Sequence, residues 1–570
     1  MGKYIIDTYQ VTLLSEARFG PTDAGAQIHV IDLLPNSFDD GTGKRRPYIP
    51  AESLHGRWRS TLDRILGHTE ATWKTAAETS DLFGNADLKQ RGRLRFSHAY
   101  LLDPEPRLAL YRRIKLDPLL GTAADTGLFD ELMLCEGAKF VFTRILRAAD
   151  LDDTEIRKQL ALLDLVDQAF AKRLVTIGAG SALGRGQANV ERLHRVEMAA
   201  SPARPAVQAW TAPQDLRQFV PAAATGGLAE VPRFDGRDDE PSVLAVRLTN
   251  LGQLWTGREL VTGTTLFGAL AAIALELDGS SPRVRIDSAP PLVAPDPSIA
   301  LTRALQAKRD GLFARLYAAW KSGTFRIAPL LPVPRGQRIP DGDPVVAYNT
   351  LAQTAYSQGN GYRYYDGQII HQKAPINRDT GTVHSGYHVD VETCPLQQLF
   401  GFVLLKNREA RALFVDLLPW LAVADLGHSK HTVCDVAFPA HVPAKGNAAR
   451  PAGQPHLLTR RIDGYLTPDQ NAPPPYMMLR WTGCFPCSSQ GELVSRPGGP
   501  SHFRAEGGWA IPQRIRGAET EYDGNCVAVS GVPAHGQPGA VGDARSALLN
   551  GLGALPEWRA LGYGQVVFLG

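Results

Sequence analysis

The chain has little in its bulk composition that would fix its architecture or address. Cysteine is scarce, six residues in 570, and so thin a supply does not make a disulfide framework. No uninterrupted apolar run is long enough to span a bilayer. The opening stretch, MGKYIIDTYQVTLL, carries no signal-peptide cleavage pattern. Ile6 stands where a myristoylation site favours Ser or Thr. A cytoplasmic protein with no membrane partner is the expectation. Charge of one sign is lacking too. Lys and Arg number 61 against 58 Asp and Glu, a net charge of +3, so nucleic-acid binding would have to rest on local patches rather than bulk charge. What is present is ordinary for a soluble globular chain: 44% hydrophobic and 21% charged residues. At 570 residues, two or more cores are expected.

The chain repeats itself loosely. Gly121, Thr122, Phe140 and Phe142 in the segment Leu116–Phe142 recur at a constant offset of 260 as Gly381, Thr382, Phe400 and Phe402 in Ile376–Phe402. YIPAESLHGRWR (Tyr48–Arg59) is echoed by LVTGTTLFGALA (Leu260–Ala271), and GRLRFSHA (Gly92–Ala99) by PRVRIDSA (Pro282–Ala289). The pairs keep their order, as a duplicated architecture would.

The first unit spans residues 1–200. Tyr9, Val11 and Leu13 alternate with Thr8, Gln10 and Thr12, the pattern of a half-buried strand. Ser53 is in place to cap a helix carrying Leu54, Trp58, Leu62 and Ile65. Strands are predicted over Arg93–Leu102 and Lys139–Leu146, with a polar excursion between them. Asp152 or Asp153 caps a second helix with Ile156, Leu160, Leu163 and Phe170 on one face. A Gly-rich turn, IGAGSALGRGQ (Ile177–Gln187), leads to a final strand over Ala188–Met198. The order βαββαβ is the ferredoxin-like pattern, and the predicted fold class is α+β with two such RRM-like units. Residues 201–242 read as a linker. Residues 243–570 read as the second unit with an insertion at about 446–550. Two Gly-containing turns, LGHSKHTVC and EWRALGYGQVVF, compete to precede its last strand, and the C-terminal one is preferred.

With these segments in order, the chain resembles the RAMP superfamily of CRISPR-associated proteins. YIPAESLHGRWR resembles the family's strand-to-helix "IPGSSLKG" signature. LFGN then GRLRF, the excursion ending in EGAKFVF, and IGAGSALGRGQ match three more. GGWAIPQRI and LGYGQVVF in the tail are similar to double-RAMP subunits of type III-D systems. The resemblance implies two ferredoxin-like units with thumb-like β-hairpin excursions, assembled with other RAMP subunits and the large polymerase/cyclase-like subunit. It implies a guide RNA held along the complex and, in cutting subunits, a target RNA cleaved by an Asp in the loop before the "IPGSSLKG" helix. Asp32 falls at that place, with Asp23, Asp39 and Asp40 as substitutes. Glu52 and His55 depart from the family's usual Ser and Lys. In the second unit the corresponding short loop holds Glu259 but no Asp, so no second cutting centre is expected there.

The candidate RNA-binding residues are Ser53, His55, Arg57, Arg59, Arg93, Arg95, Gly178, Gly180, Ser181, Gly184, Arg185, Gly186, Thr265, Arg378, Gly562 and Gly564. Glycine lets backbone N–H groups approach a phosphate closely. Arg93 and Arg95 put alternate side chains on one strand face, and Arg57 and Arg59 sit near a helix N-terminus, which itself favours anions. For cleavage, a carboxylate at Asp32 accepts the 2′-OH proton or holds a hydrated divalent ion, Mg or Mn. The competing readings are a non-catalytic structural or capping subunit, and a guide-processing endoribonuclease centred on His29 or His98. Cys484, Cys487 and Cys526, and His428, His431 and Cys434 with Cys394, fall short of the four ligands zinc takes; zinc is not expected.

Overall fold

The computed structural model describes residues 2–20, 35–39, 45–68, 77–84, 92–116 except 104, 122–179, 183–201, 231–232, 234, 240–279 except 253 and 255–260, 310–357 except 335–336, 369–373, 389–393, 396–427, 434–443 and short stretches beyond 475. It is a mixed structure of antiparallel sheets and packed helices.

The first sheet contains β1 (Lys3–Leu13), β2 (Ser37–Asp39), β3 (Arg45–Ile49), β4 (Leu94–Phe96), β5 (Ala99–Leu101), β8 (Lys139–Ala148) and β9 (Ala188–Ala199). A separate hairpin, β6 (Leu108–Leu116) and β7 (Ala123–Leu134), leaves the chain between β5 and β8. The strand order is β2-β3-β5-β8-β1-β9, with β4 also on β8. Residues of β1 alternate between two apolar environments. Ile5, Tyr9, Val11 and Leu13 face helices α1 (Ala51–Ile65) and α3 (Asp153–Ala171) in one core, while α2 (Ala77–Phe83) closes its edge. Trp58 of α1 stacks on Phe170 of α3 at 4.3 Å between ring centroids, an aromatic contact that adds to the area both bury. The helix α3 opens with a reciprocal capping box of Asp152 and Glu155. The helix α1 does not open as the sequence suggests: Pro50 holds the N-cap position, and Ser53 lies exposed inside the first turn. The His98 ring Nδ1 instead accepts the first helical N–H, from Ala51, at 3.0 Å.

The second sheet has β10 (Ser242–Asn250) at its centre, with β15 (Gln398–Leu405) on one side and β16 (Cys434–Ala437) and β17 (His441–Pro443) on the other. On the far edge of β15 lie β11 (Phe325–Ile327) and β12 (Leu331–Pro332). A short pair, β13 (Ile369–Lys373) and β14 (Val389–Thr393), stands apart. The helices are α4 (Gly263–Leu277), α5 (Leu312–Ser322), α6 (Pro344–Ser357) and α7 (Arg408–Leu417), the last running into a 3-10 turn, Leu418–Ala422. In both sheets the first strand lies between the strand before the second main helix and the strand after it.

Three sequence expectations need correcting. The last strand beside β10 is β16 with β17, following LGHSKHTVC; Val566–Phe568 pairs with Tyr476–Leu479 instead. The partner of β4 in the second unit is β11, whereas PRVRIDSA lies outside the described residues. The offset of 260 is one residue out of register. Phe140 and Phe142 face α1 and α3, but Phe400 and Phe402 turn away from α4 and α7; Phe402 meets Tyr348 of α6. Leu399, Gly401 and Val403 are the residues placed as Phe140, Phe142 and Arg144 are. A slip of one residue exchanges the two faces of a strand.

The other face of the first sheet is not open. Tyr4, Ile6, Val141, Ile145, Val196 and Met198 join the core formed by α4, α5, α7 and the inner face of β10, Leu244, Val246 and Leu248. Tyr4 packs on Trp420 at 5.5 Å. The layers therefore run α1 with α3, first sheet, α4 with α5 and α7, second sheet, α6. Charges cross the joint as well. Arg95 donates to both Asp425 oxygens at 2.8 and 3.1 Å, and Arg147 donates to Asp425 and Glu276, whose carboxylate also accepts from the Tyr4 hydroxyl. Burial alone would lower the Arg147 pKa; Asp425, Glu276 and Tyr4 outweigh it and hold the guanidinium charged.

Candidate nucleic-acid interface

The Gly-rich turn is fastened to the segment that follows β1. Ile177 donates to Gly186 O at 2.7 Å, Gly186 to Glu16 O at 2.9 Å, and Ala179 to Arg18 O at 3.0 Å. The backbone N–H groups at these positions are committed to the protein. Two of the candidate glycines are consequently packing residues. A Cβ on Gly186 would lie 1.9 Å from Ile177 O, and one on Gly178 would lie 2.7 Å from Arg18 O; both have positive φ. Gly184 differs: its φ is +74°, and a Cβ there would meet no atom within 4 Å. It lies at an exposed bend beside Leu183, which is 64% exposed. Gly180 and Ser181 lie outside the described residues.

Arg185 reaches from this turn to the hairpin. It pairs with Glu131 at 2.9 Å and its guanidinium lies over the Tyr111 ring. Arg18 and Arg113 converge on the same carboxylate, at 2.9 and 2.8 Å. One buried carboxylate thus faces three guanidinium groups where the hairpin joins the turn, with Glu16 close by, accepting from the Tyr111 hydroxyl. This face of the hairpin is anchored. The opposite face presents Leu108, Leu110, Ile114 and Leu128, each 45–61% exposed. Leu119 and Leu120, beyond the end of β6, and residues 376–388 lie outside the described residues.

The two α1 arginines part company. Arg59 turns inward, donating to Gly84 O at 2.9 Å and approaching Asp63. Arg57 is half-buried, and its side chain has no hydrogen-bond or ion-pair partner among the described residues; burial and the like charge of Arg64 lower its pKa. An anion laid along this side of α1 would relieve both penalties. His55 packs edge-on against Phe83 and Phe96.

Arg93 and Arg95 are corrections. Both are buried rather than exposed on a strand face, at 5% and 3%. Arg93 pairs with Asp81 and Asp150, and Arg95 with Asp425. Guanidinium groups so neutralised hold the protein together. His98 is likewise buried, packed against Tyr48 and Tyr100 while it caps α1, so it offers no surface base for the guide-processing reading.

In the second unit Thr265 lies in the first turn of α4, where its N–H donates to the capping Thr262 hydroxyl at 3.2 Å. Gly562 has φ +83°, and a Cβ there would lie 2.5 Å from Ile327 O, so it too is a packing glycine. Arg378, Gly564, His29, Asp32, Asp23 and Asp40 lie outside the described residues, as do Cys394, His428, His431, Cys484 and Cys487. Among the described residues no three His, Cys, Asp or Glu side chains gather as a metal site, and no helix is long and apolar enough to cross a membrane.

The sheets and helices define an α+β protein whose first unit brings a glycine bend, a projecting hairpin and the flank of α1 into one β-sheet domain. Residues 32–189, which contain all three, match the model of the RAMP superfamily. No curated protein matches the chain. Among solved structures, it is similar to a chain of "Cryo-EM structure of the Type III-B Cmr-beta bound to cognate target RNA". The identity is 20% and the TM-score 0.25, with 34% of this chain and 61% of that chain covered. The match thus spans less than two thirds of that chain's length.

Proposed function

We propose that this protein is an RNA-binding subunit of a type III CRISPR ribonucleoprotein, built from two ferredoxin-like RAMP units with thumb-like hairpins. The observation that carries this reading is the family match over 32–189, which begins at Asp32 and takes in α1, the hairpin and the Gly-rich turn. The strand order of both sheets supports the ferredoxin-like reading. Guide RNA lies along Arg57, Arg64 and the Gly184 bend. Such phosphate contacts hold a strand in position without reading its sequence. The apolar hairpin face offers side chains that displace a base from its stack. The other RAMP subunits, the large polymerase/cyclase-like subunit and the target RNA complete the assembly.

Within that assembly the Asp32 carboxylate takes the proton of a target 2′-OH. The oxygen then attacks the adjacent phosphorus as the bond from phosphorus to the 5′ oxygen breaks; that oxygen takes a proton from water, Asp32 returns its proton to solvent, and the products are a 2′,3′-cyclic phosphate and a 5′-hydroxyl. The reaction is expected to require Mg or Mn, and chelation should then abolish it.

The experiment is target cleavage by assembled complexes carrying Asp32→Ala, beside complexes carrying Arg57→Ala with Arg64→Ala. The first change should remove one cleavage product and leave target binding intact. The second should weaken guide retention and lower the salt slope by ~0.7 for each single-strand phosphate that is no longer neutralised. If Asp32→Ala leaves the product pattern unchanged, the subunit is a structural one. If the arginine pair changes neither retention nor slope, the proposed RNA path is wrong.

A further inference from the structure

The residues between β1 and the stretch that carries Asp32 are held on several sides. Ala17 exchanges backbone hydrogen bonds with Leu134 of β7, at 3.0 and 2.9 Å. The Arg18 carbonyl accepts the Ala179 N–H from the Gly-rich turn at 3.0 Å. Phe19 packs edge-on against Phe140, 5.8 Å between ring centroids, and a Cβ on Gly178 would lie 3.0 Å from its ring. The Phe19 carbonyl accepts the Asn36 N–H at 2.6 Å, and Asn36 O accepts the Tyr48 N–H of β3 at 2.9 Å. The chain thus leaves this hub at Phe19 and returns to it at Asn36. Asp32 comes four residues before the return. Four residues reach at most about 14 Å, so the anchoring of Asn36 bounds where Asp32 can go.

The Arg18 side chain ties the hub to the hairpin. It is 4% exposed, and its Nε donates to Glu131 Oε1 at 2.9 Å. Glu131 Oε2 takes Arg113 at 2.8 Å and Arg185 at 2.9 Å. Without Arg18 the carboxylate keeps these two partners, so the hairpin stays joined to the Gly-rich turn while the tie beside Phe19 is lost. A buried pair of this kind adds little net stability over an apolar pair, and its attested use is to fix one arrangement. Arrangement matters here because a shift of about 1 Å at a reacting group costs on the order of 100-fold in rate.

We infer that Arg18 is a positioning residue for the proposed cleavage. Paired with Glu131, it sets the root from which the Asp32 stretch leaves and to which it returns, in register with the hairpin. The inference rests on the proposed role of Asp32 and adds the residue that aligns it.

The test compares Arg18→Gln with wild type in two measurements. The first is amide hydrogen exchange on the full chain, resolved at Asn36 and Ala179, whose N–H groups bond to Phe19 and Arg18. Both should exchange at least tenfold faster in the variant, while the amides of β1 stay as protected as in wild type. The second is single-turnover cleavage by the assembled complex at saturating target. The Asp32-dependent product should form at least tenfold more slowly, with the target Kd within twofold of wild type. A role in stability alone leaves the rate per assembled complex unchanged. Arg18→Lys keeps the charge but sets it one atom farther out; it should fall between the two, and it carries the test if Arg18→Gln does not assemble. Arg192→Gln, which breaks a pair with Asp164 on the far edge of the sheet, should alter neither measurement. Unchanged exchange at both amides overturns the inference whatever the activity. Faster exchange with an unchanged cleavage rate overturns it too. If wild type itself yields no Asp32-dependent product, the proposed cleavage fails and takes the catalytic role of Arg18 with it, so the two failures are told apart.

Discussion

Replacing Asp425 with alanine tests the joint between the units. Its carboxylate, 9% exposed, accepts two bonds from Arg95 and one from Arg147. Glu276 still holds Arg147 in the variant, so the stranded charge is Arg95, left among the described residues with the Gly92 and Leu94 carbonyls at 2.9 Å. Removing one partner of a buried pair costs about 3–5 kcal/mol, a large part of the ~5–15 kcal/mol that holds a folded protein together. The double variant Arg95→Met with Asp425→Ala removes the stranded charge as well. It should regain at least ~1 kcal/mol over Asp425→Ala alone, because the two side chains are directly coupled. Urea unfolding followed by tryptophan fluorescence reads both effects, since Trp420 packs at the joint and Trp58 in the first core. The single variant should unfold at lower urea, with the Trp420 signal changing first. A shift below ~1 kcal/mol, or a double variant no more stable than the single one, would show that the joint rests on apolar packing and that the buried pair is incidental.

Two further outcomes follow from the first unit. Gly186→Ala should cost ~3 kcal/mol or more, since its Cβ collides with Ile177 O, whereas Gly184→Ala, with open space around it, should cost only the ~1–2 kcal/mol of a left-handed residue; thermal melts separate them. The Asp7 carboxyl is raised by burial, but Arg144 and Arg195 outweigh this and hold it below its ordinary 3.8. That stabilisation is complete above the unfolded value and disappears as pH falls through the lower folded value. Asp7→Asn should therefore lie well below wild type in urea stability at neutral pH, and the gap should shrink as the acid range is entered; a gap independent of pH refutes the assignment.

Much of the first unit was legible because its signals are local. Leu54, Trp58 and Leu62 recur at helical spacing and are all buried, and the Asp152 cap is a four-residue pattern. The fates of Arg93 and Arg95 were not legible, because their neutralising partners lie as far away as Asp425. Repeat register failed for a related reason. A Phe is acceptable on either face when both are covered, and α6 covers the second face of the second sheet. The glycine turn was found by composition, but only the packing separates Gly184 from Gly178 and Gly186.

The shared core has a consequence for synthesis on the ribosome. The first sheet is complete once Ala199 has emerged, yet its second face is covered by residues that extend to Asp425, roughly 230 positions later. At ~5–20 residues per second that face stays bare for about 10–45 s. During this interval Tyr4, Ile6, Val141 and Ile145 form a greasy wall with two unneutralised arginines among them, so the nascent chain is an obvious client for a holding chaperone.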